Sequence, residues 1–273
     1  LIFIISVFPS YADDENELEE VVVEENERKE IEASASSDSK PTINSRRYAI
    51  YDRFSGRCIY GKDENKETAM ASTTKIMSII IVVEKCNLSD TVTITAKAAG
   101  TGGSRLGLHT DDKITVMDLL YGLMLRSGND AAVALAIHTA GSIERFADLM
   151  NQKAEELGLT NTHFVTPHGL DNPDHYTTAY ELAKITDYAL KNETIAKIVK
   201  TKTATINING SPMQINNTNE LLGNVDGVYG VKTGFTNNAG RCLVTSVKRG
   251  DMDLIIVVLG ADTRKDRARD SIK

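Results

Sequence analysis

The order of hydrophobic patterns along the chain is the feature that most restricts its fold. Two strand-like segments near residue 50, RRYAIYD and RCIYG, flank RFSG and predict a β-hairpin. The segment TVTIT (residues 91–95) predicts a short strand, and helical patterns dominate from about residue 115 to 190. Strand patterns then return in TATINI, GVYGVKTGF, RCLVTSVK and MDLIIVVLGAD, the last two as a hairpin. This separation of strands and helices predicts an α+β fold, in which a sheet packs against a helical block.

The acidic charge of the chain is concentrated ahead of this body. Formal net charge is −7, and residues 13–32 alone contain 11 acidic and 2 basic residues, a local net charge of −9. The rest of the chain therefore carries a net charge of +2, the difference between −7 and −9. Such a nearly neutral body does not indicate a nucleic-acid binding face, and we expect no nucleic-acid partner.

Three segments differ in composition. Residues 1–12, LIFIISVFPSYA, form an apolar run that ends in small residues, which predicts the remnant of a secretory signal peptide. The run is too short for a comfortable transmembrane helix. The alternative to a signal peptide is a buried strand or a short anchor. Residues 13–42 predict an acidic, low-complexity linker. Residues 43–273 predict one folded domain, C-terminally truncated because the chain stops inside a helical pattern that starts at Arg264.

Neither the cysteines nor the histidines form a metal-binding motif. Cys58, Cys86 and Cys242 show no CxxC spacing, and their odd number requires at least one free thiol. A bridge between Cys58 and Cys242 is a possibility that spacing leaves open. The five histidines form no HExxH pattern and are interpreted as polar loop or core positions. We therefore expect neither a metal nor a cofactor.

The segment ASTTKIMS places Ser72 and Lys75 three residues apart, at the start of an apolar pattern that predicts a helix from Ser72 to about Cys86. An ordinary helix N-cap is one interpretation of such a serine. The alternative is chemical, because residues i and i+3 share a helix face and a lysine can activate a serine hydroxyl if its pKa is lowered. Backbone N–H groups at a helix start can also hold an oxyanion.

Two later motifs favour the chemical interpretation. Ser127-Gly128-Asn129 lies between two helical patterns, 55 residues after Ser72, and Lys232-Thr233-Gly234 lies in a strand pattern 105 residues after Ser127. Each motif alone is weak. The ordered set SxxK, SxN and KTG, each in a suitable local context, is strong evidence for a serine acyl-transfer site.

With these motifs the sequence resembles the penicillin-interacting serine enzymes, and within them the D-alanyl-D-alanine carboxypeptidases, which are low-molecular-mass penicillin-binding proteins. The resemblance covers about residues 43–273 and includes AMASTTKIM, AAGTGGS, LLYGLMLRSGNDAAVALA, LGLTNTHFVTPHGLD, GVKTGFTNNAGRCLV and IIVVLGAD. It implies a β-lactamase/transpeptidase-like α+β fold, with an antiparallel sheet covered by a helical cluster and the site at their junction.

The resemblance also implies roles for individual residues. Ser72 corresponds to the nucleophile that attacks a terminal D-Ala-D-Ala bond, Lys75 to its base, and Ser127 to a proton relay toward the leaving D-alanine. The substrate-binding positions correspond to Asn129, Lys232, Thr233, Gly234, Phe235 and Arg267. Among them, the N–H of Phe235 corresponds, with that of Ser72, to an oxyanion hole. Ser104, in the glycine-rich loop GTGGSRLGL (residues 100–108), is a further candidate for substrate contact.

The implied partners are a peptidoglycan pentapeptide ending in D-Ala-D-Ala and β-lactam inhibitors, and the implied location is extracytoplasmic. The sequence departs from the family at Phe235, where some relatives carry histidine. Members of the family commonly continue into a smaller β-rich domain and an amphipathic membrane helix; we expect neither within residues 43–273, so the resemblance does not predict a membrane anchor here. Two alternatives are a β-lactamase, although ELLGN (220–224) fits its deacylation motif poorly, and a non-catalytic wall-sensing module.

Overall fold

The computed structural model describes Lys29 and residues 41–273. The predicted signal remnant (1–12) and nearly all of the predicted linker (13–42) lie outside the described residues. Strands and helices are separated along the chain as predicted, with a hairpin first, a mainly helical middle and a strand-rich end. The strands are β1 (Arg47–Asp52), β2 (Arg57–Lys62), β3 (Thr91–Thr93), β4 (Lys113–Thr115), β5 (Thr203–Ile208), β6 (Ser211–Asn216), β7 (Val228–Thr236), β8 (Gly240–Arg249) and β9 (Met252–Ala261).

The main sheet has five strands in the order β2-β1-β9-β8-β7, and every neighbouring pair is antiparallel. The N-terminal hairpin therefore joins the C-terminal strands through β1 and β9. The predicted hairpin of β8 and β9 is confirmed: Arg249 pairs with Met252, so only two residues form the turn. Gly250 occupies the left-handed region there, with φ of +58°, which suits a tight hairpin turn. Strand β7 forms one edge of the sheet.

The helices are α1 (Lys75–Lys85), α2 (Ala96–Ala99), α3 (Val116–Leu125), α4 (Asn129–Ala140), α5 (Ile143–Glu156), α6 (Ala179–Leu190), α7 (Glu193–Lys200) and α8 (Arg264–Ile272). Helix α1 is buried from Lys75 to Val82, and α4 is buried over its first eight residues. A helix that is buried on all sides needs apolar or small side chains around its circumference. Apart from Lys75, Asn129 and Asp130, which form buried hydrogen bonds, the runs KIMSIIIV and NDAAVALA meet this requirement, and both helices form the centre of the helical block.

The sheet is covered on both faces. Because successive side chains of a strand point to opposite faces, Val257 and Leu259 join the main core with the helices, whereas Val258 between them joins a separate cluster. On the second face Leu243 packs with Ala268 of α8. The predicted α+β class, with an antiparallel sheet and packed helices, is confirmed.

Two small two-stranded sheets are separate from the main sheet: β3 pairs with β4 across a long connection that contains α2, and β5 pairs with β6 in a hairpin. The sequence patterns predicted β3 and β5 but not their partners. Strand β6 contains Pro212 and mostly exposed residues, so it lacks the alternation of a half-buried strand. The two small sheets contact each other through Asn209. Its backbone N–H donates to the carbonyl of Lys113 at 2.9 Å, and its Oδ1 accepts from the Lys113 N–H at 2.8 Å.

All three cysteines are free thiols. The possible bridge between Cys58 and Cys242 does not form, because β2 and β8 are separated by β1 and β9 in the sheet. Three strand spacings amount to about 14 Å, beyond the reach of a disulfide. In the part of the chain that the structure describes, no helix combines the length and the apolar composition needed to cross a membrane.

Candidate active site

Ser72 and Lys75 meet at the start of α1. The predicted helix from Ser72 is corrected in one respect: Ala71–Thr74 form a 3₁₀ helix, and the α-helix begins at Lys75. In a 3₁₀ helix residues i and i+3 lie directly above one another. Lys75 Nζ is accordingly 2.7 Å from Ser72 Oγ. Ser72 is almost buried and Lys75 completely so.

The loop between α3 and α4 brings a second serine to the same amine. Lys75 Nζ donates to Asn129 Oδ1 at 2.7 Å and lies 3.4 Å from Ser127 Oγ. Ser127 has φ of +58°, and Ala71, directly before Ser72, has φ of +49°. Each left-handed, non-glycine residue costs about 1–2 kcal/mol. The strained conformations of Ala71 and Ser127 orient the hydroxyl groups of Ser72 and Ser127 toward the amine of Lys75.

Asp130 fixes the glycine-rich loop beside this site. Its buried carboxylate accepts hydrogen bonds from three consecutive backbone N–H groups at 2.8–3.1 Å, those of Leu106, Gly107 and Leu108. Asn129 adds two bonds to the same loop, from its backbone N–H to the carbonyl of Ser104 and from its amide to the carbonyl of Gly102, both at 2.8 Å. Ser104 itself is buried, and its predicted contact with substrate stays a prediction.

Strand β7 provides the opposite wall. Lys232 and Thr233 are buried, and Thr233 Oγ1 lies 2.7 Å from Thr218 Oγ1. A Cβ atom on Gly234 would lie only 3.0 Å from the backbone nitrogen of Ser72. Gly234 thus lets β7 approach the segment that carries Ser72, which gives the glycine of KTG a packing role. The three predicted motifs therefore meet in space at the junction of sheet and helices.

Phe235 and Arg267 have neighbours that the sequence did not predict. The guanidinium of Arg241 lies 3.8 Å above the ring of Phe235, its cross-strand partner, in a cation–π contact. Arg267, on α8, is buried and binds the carboxylate of Glu220 at 2.7 Å. The assignment of Arg267 to the substrate carboxylate stays a prediction.

The loop that carries the HGLD sequence is a part of the site that sequence reasoning missed. The backbone carbonyl of His168 accepts from Lys75 Nζ at 3.2 Å, and Ser78 of α1 donates to the carbonyl of Pro167 at 2.6 Å. Gly169 packs directly against Ala71, where a Cβ atom would overlap with the Ala71 carbonyl. Contacts through backbone atoms leave no residue-type signature. The only available signal was that this string belongs to the family resemblance.

Two buried histidines belong to this region. Val165 N–H donates to His175 Nδ1 at 2.9 Å, so the Nε2–H donates to Thr74 Oγ1 at 2.8 Å. The Thr74 hydroxyl in turn donates to the carbonyl of Ala71 at 2.8 Å. Burial lowers the pKa of His175 to about 4, and burial with a smaller effect of Lys75 lowers the pKa of His168 to about 3. His175 is therefore neutral, and in this form it donates the hydrogen bond that stabilises the 3₁₀ helix at Thr74.

This arrangement places two hydroxyl groups within 3.4 Å of the amine of Lys75, with a cationic side chain, that of Lys232, in strand β7. A nucleophile, its base and a relay at such distances are the components of serine acyl transfer. Among residue 29 and residues 41–273, no group of three His, Cys, Asp or Glu side chains could hold a metal ion.

Comparison with known proteins agrees with this geometry. The sequence model of the peptidase S11 family, D-alanyl-D-alanine carboxypeptidase, matches residues 34–263. The chain belongs to the D-alanyl-D-alanine carboxypeptidase family. It is 40% identical over 245 residues to D-alanyl-D-alanine carboxypeptidase DacF of Bacillus subtilis, which covers 86% of this chain and 63% of DacF. It is 38% identical to DacC of Escherichia coli, over 88% of this chain and 62% of DacC.

The chain thus spans less than two thirds of the length of both carboxypeptidase relatives. Among solved structures, the DD-transpeptidase of Streptomyces K15 superimposes with a TM-score of 0.81 at 37% identity, over 86% of this chain and 97% of that enzyme. The DacD carboxypeptidase of Francisella tularensis gives a TM-score of 0.79 at 30% identity, over 86% and 70% of the two chains. These matches confirm the predicted family and the transpeptidase-like fold.

Proposed function

We propose that this protein is a serine-type D-alanyl-D-alanine carboxypeptidase, which removes the terminal D-alanine of peptidoglycan stem peptides through an acyl-enzyme on Ser72. The observation that carries the proposal is the 2.7 Å contact between Ser72 Oγ and Lys75 Nζ inside a buried site. Family membership supports the same reaction class.

The oxygen atoms around Lys75 suit a lysine that acts as a base. The carbonyl oxygens of Asn129 and His168 can only accept hydrogen bonds, and both lie within bonding distance of Nζ. A neutral amine has two N–H groups for these two acceptors, which leaves its lone pair for the Ser72 hydroxyl proton. After proton transfer, the ammonium of Lys75 has a third N–H, which can donate to Ser72 Oγ or to Ser127 Oγ.

The remaining steps follow from this geometry. Ser127 relays the proton from Lys75 to the nitrogen of the leaving D-alanine, because its hydroxyl lies 3.4 Å from the amine and can both accept and donate a proton. Lys232 and Thr233 bind the substrate carboxylate from β7, and Arg267 assists them. The backbone N–H groups of Ser72 and Phe235 stabilise the tetrahedral oxyanion. Water then hydrolyses the acyl-enzyme.

The substrate class and location follow from the same reaction. A stem pentapeptide that ends in D-Ala-D-Ala offers the free carboxylate for which a buried lysine is suited, and this substrate lies outside the cytoplasm. A β-lactam imitates this dipeptide and acylates Ser72. The β-lactamase alternative receives no support, because the carboxylate of Glu220 is bound to Arg267.

The test is intact-protein mass spectrometry after addition of benzylpenicillin, combined with an assay of D-alanine release from a peptide ending in D-Ala-D-Ala. We expect one long-lived penicillin adduct and release of D-alanine in the wild type. Both are expected to be lost in Ser72→Ala and retained in Ser89→Ala, which changes an exposed serine beyond the end of α1.

Three outcomes would contradict the proposal. An adduct that persists in Ser72→Ala would show that another residue is the nucleophile. An adduct that disappears within seconds while penicillin is hydrolysed would indicate a β-lactamase. Absence of both an adduct and D-alanine release in the folded wild type would indicate a non-catalytic relative.

A further inference from the structure

We propose that Asp171 is a positioning residue for acylation: through Thr236 it fixes the end of β7 and thereby the Phe235 N–H relative to Ser72. The inference rests on the proposed function, because it assigns the Phe235 N–H to the oxyanion hole. Asp171 does not contact the reacting atoms in this assignment.

The contacts between Asp171 and the turn after β7 are specific. Thr236 Oγ1 donates to Asp171 Oδ1 at 2.6 Å, and the backbone N–H of Asn238 approaches Asp171 Oδ2 at 3.3 Å. Thr236 Oγ1 also accepts from the N–H of Ala239 at 3.1 Å, so the hydroxyl is both donor and acceptor. Thr236 is nearly buried and follows Phe235 directly in the chain. The two carboxylate oxygens therefore hold the turn at two points.

The beginning of the loop that carries Asp171 contacts the segment that carries Ser72. The carbonyl of His168 binds Lys75 Nζ, and Gly169 lies against the backbone of Ala71. Ser78 of α1 donates to the carbonyl of Pro167. Four consecutive positions, 168–171, thus connect the segment that carries Ser72 to the turn that ends β7.

This connection matters because the two oxyanion donors lie on different elements. The N–H of Ser72 belongs to the 3₁₀ helix, whereas that of Phe235 belongs to an edge strand, which the sheet holds only through β8. Both must converge on one oxygen atom, and small displacements of such donors strongly reduce the rate. The packing of Gly234 against Ser72 sets how close β7 comes. The bond from Thr236 to Asp171 restrains the strand end at the adjacent position.

The experiment measures acylation by a fluorescent penicillin under stopped flow, with the limiting acylation rate and the apparent dissociation constant obtained from the concentration dependence. We expect Asp171→Ala and Thr236→Val each to lower the limiting rate about tenfold to a hundredfold, with little change in the dissociation constant. Thr236→Ser keeps the hydroxyl and is expected to retain most of the rate. The double variant is expected to be no slower than the slower of the two single variants, because the bond between Thr236 and Asp171 is lost in all three.

Thermal unfolding and titration of the acylatable fraction accompany each variant. A merely structural role would lower the melting temperature or the active fraction but leave the rate of the active fraction unchanged, and this result would overturn the inference. Asp174→Ala, in the same loop, is the matched control with an expected wild-type rate. If Asp171→Ala fails to fold, Asp171→Asn and Thr236→Val provide the same comparison. Wild-type rates in these variants overturn this inference alone, whereas an unreactive wild type overturns the proposed function as well.

Discussion

The guanidinium of Arg267 and the carboxylate of Glu220 form a largely buried ion pair, in which one Arg267 nitrogen lies 2.7 and 2.9 Å from the two carboxylate oxygens. The side chain of Arg267 is 4% exposed and that of Glu220 is 20% exposed. Thr218 and Asn219, just before Glu220, are bonded to Thr233 and to the carbonyl of Gly230. The pair therefore connects α8 to the segment that supports the KTG strand.

Replacement of Glu220 should lower the free energy of unfolding, because the charge of Arg267 is buried. Glu220→Gln removes the carboxylate that binds the buried Arg267 guanidinium, and we expect the free energy of unfolding to fall by about 2 kcal/mol. A further change of Arg267→Met is expected to recover part of this loss, since the buried charge is then removed as well. Lys265→Gln, on the exposed side of the same helix, is the control with an effect within about 0.5 kcal/mol. Denaturant unfolding measures all four proteins, and equal stability of Glu220→Gln and wild type would contradict the expectation.

The lowered pKa of His175 predicts a loss of stability in acid. The pKa is about 4 in the folded protein and about 6.5 when unfolded, so between these values the unfolded state binds more protons. The contribution of His175 to the free energy of unfolding is therefore fully present above about pH 6.5, and it decreases as the pH falls toward 4. From pH 7 to pH 5 the contribution of His175 is a loss of about 2 kcal/mol.

The variant His175→Gln tests this contribution, because glutamine cannot titrate but can still donate to Thr74. We expect its free energy of unfolding to fall less between pH 7 and pH 5 than that of the wild type, by about 2 kcal/mol. The exposed His109 supplies the control His109→Gln. Parallel pH dependences of wild type and His175→Gln would contradict the assignment.

Much of the site could be predicted from the sequence because its chemistry depends on residue types at fixed spacing. Ser72 and Lys75 are one helical turn apart, so their contact follows from local geometry. The hairpins of β1 with β2 and β8 with β9 follow from alternation and from turn residues. The resemblance then brought Ser127 and Lys232 to the same place, which the residues alone could not do.

What the sequence could not predict depends on contacts without such a signature. The carbonyl of His168 binds Lys75 across 93 positions, and any residue type could supply that carbonyl. The start of the α-helix at Lys75 rather than Ser72 depends on the left-handed conformation of Ala71, which an alanine does not indicate. The partner of Arg267 is set by how α8 packs on the sheet, a tertiary relationship that α8's own periodicity does not contain.

A comparison of two glycines should separate backbone strain from steric overlap. Gly169 and Gly158 have φ of +86° and +65°, so alanine is strained at both. Nothing lies within 4 Å of a Cβ atom on Gly158, whereas one on Gly169 would overlap with the carbonyl of Ala71. We expect Gly158→Ala to cost about 1 kcal/mol and Gly169→Ala about 3 kcal/mol or more. Only Gly169→Ala should also slow acylation by penicillin, because it displaces the residue before Ser72. Equal losses in the two variants would show that strain alone decides.

The buried carboxylate of Asp130 supplies the last test, since it accepts from the N–H groups of residues 106–108 and from Ala131. Asp130→Ala leaves these donors without their acceptor, and we expect a loss of about 2–3 kcal/mol in the free energy of unfolding. Hydrogen exchange at residues 106–108 should become faster, because their N–H groups lose the carboxylate that accepts them. Asp148→Asn, on the exposed side of α5, is the control. Acylation should slow as well, because Asn129 binds both the loop and Lys75. Unchanged exchange at residues 106–108 in Asp130→Ala would show that other contacts hold the loop against the site.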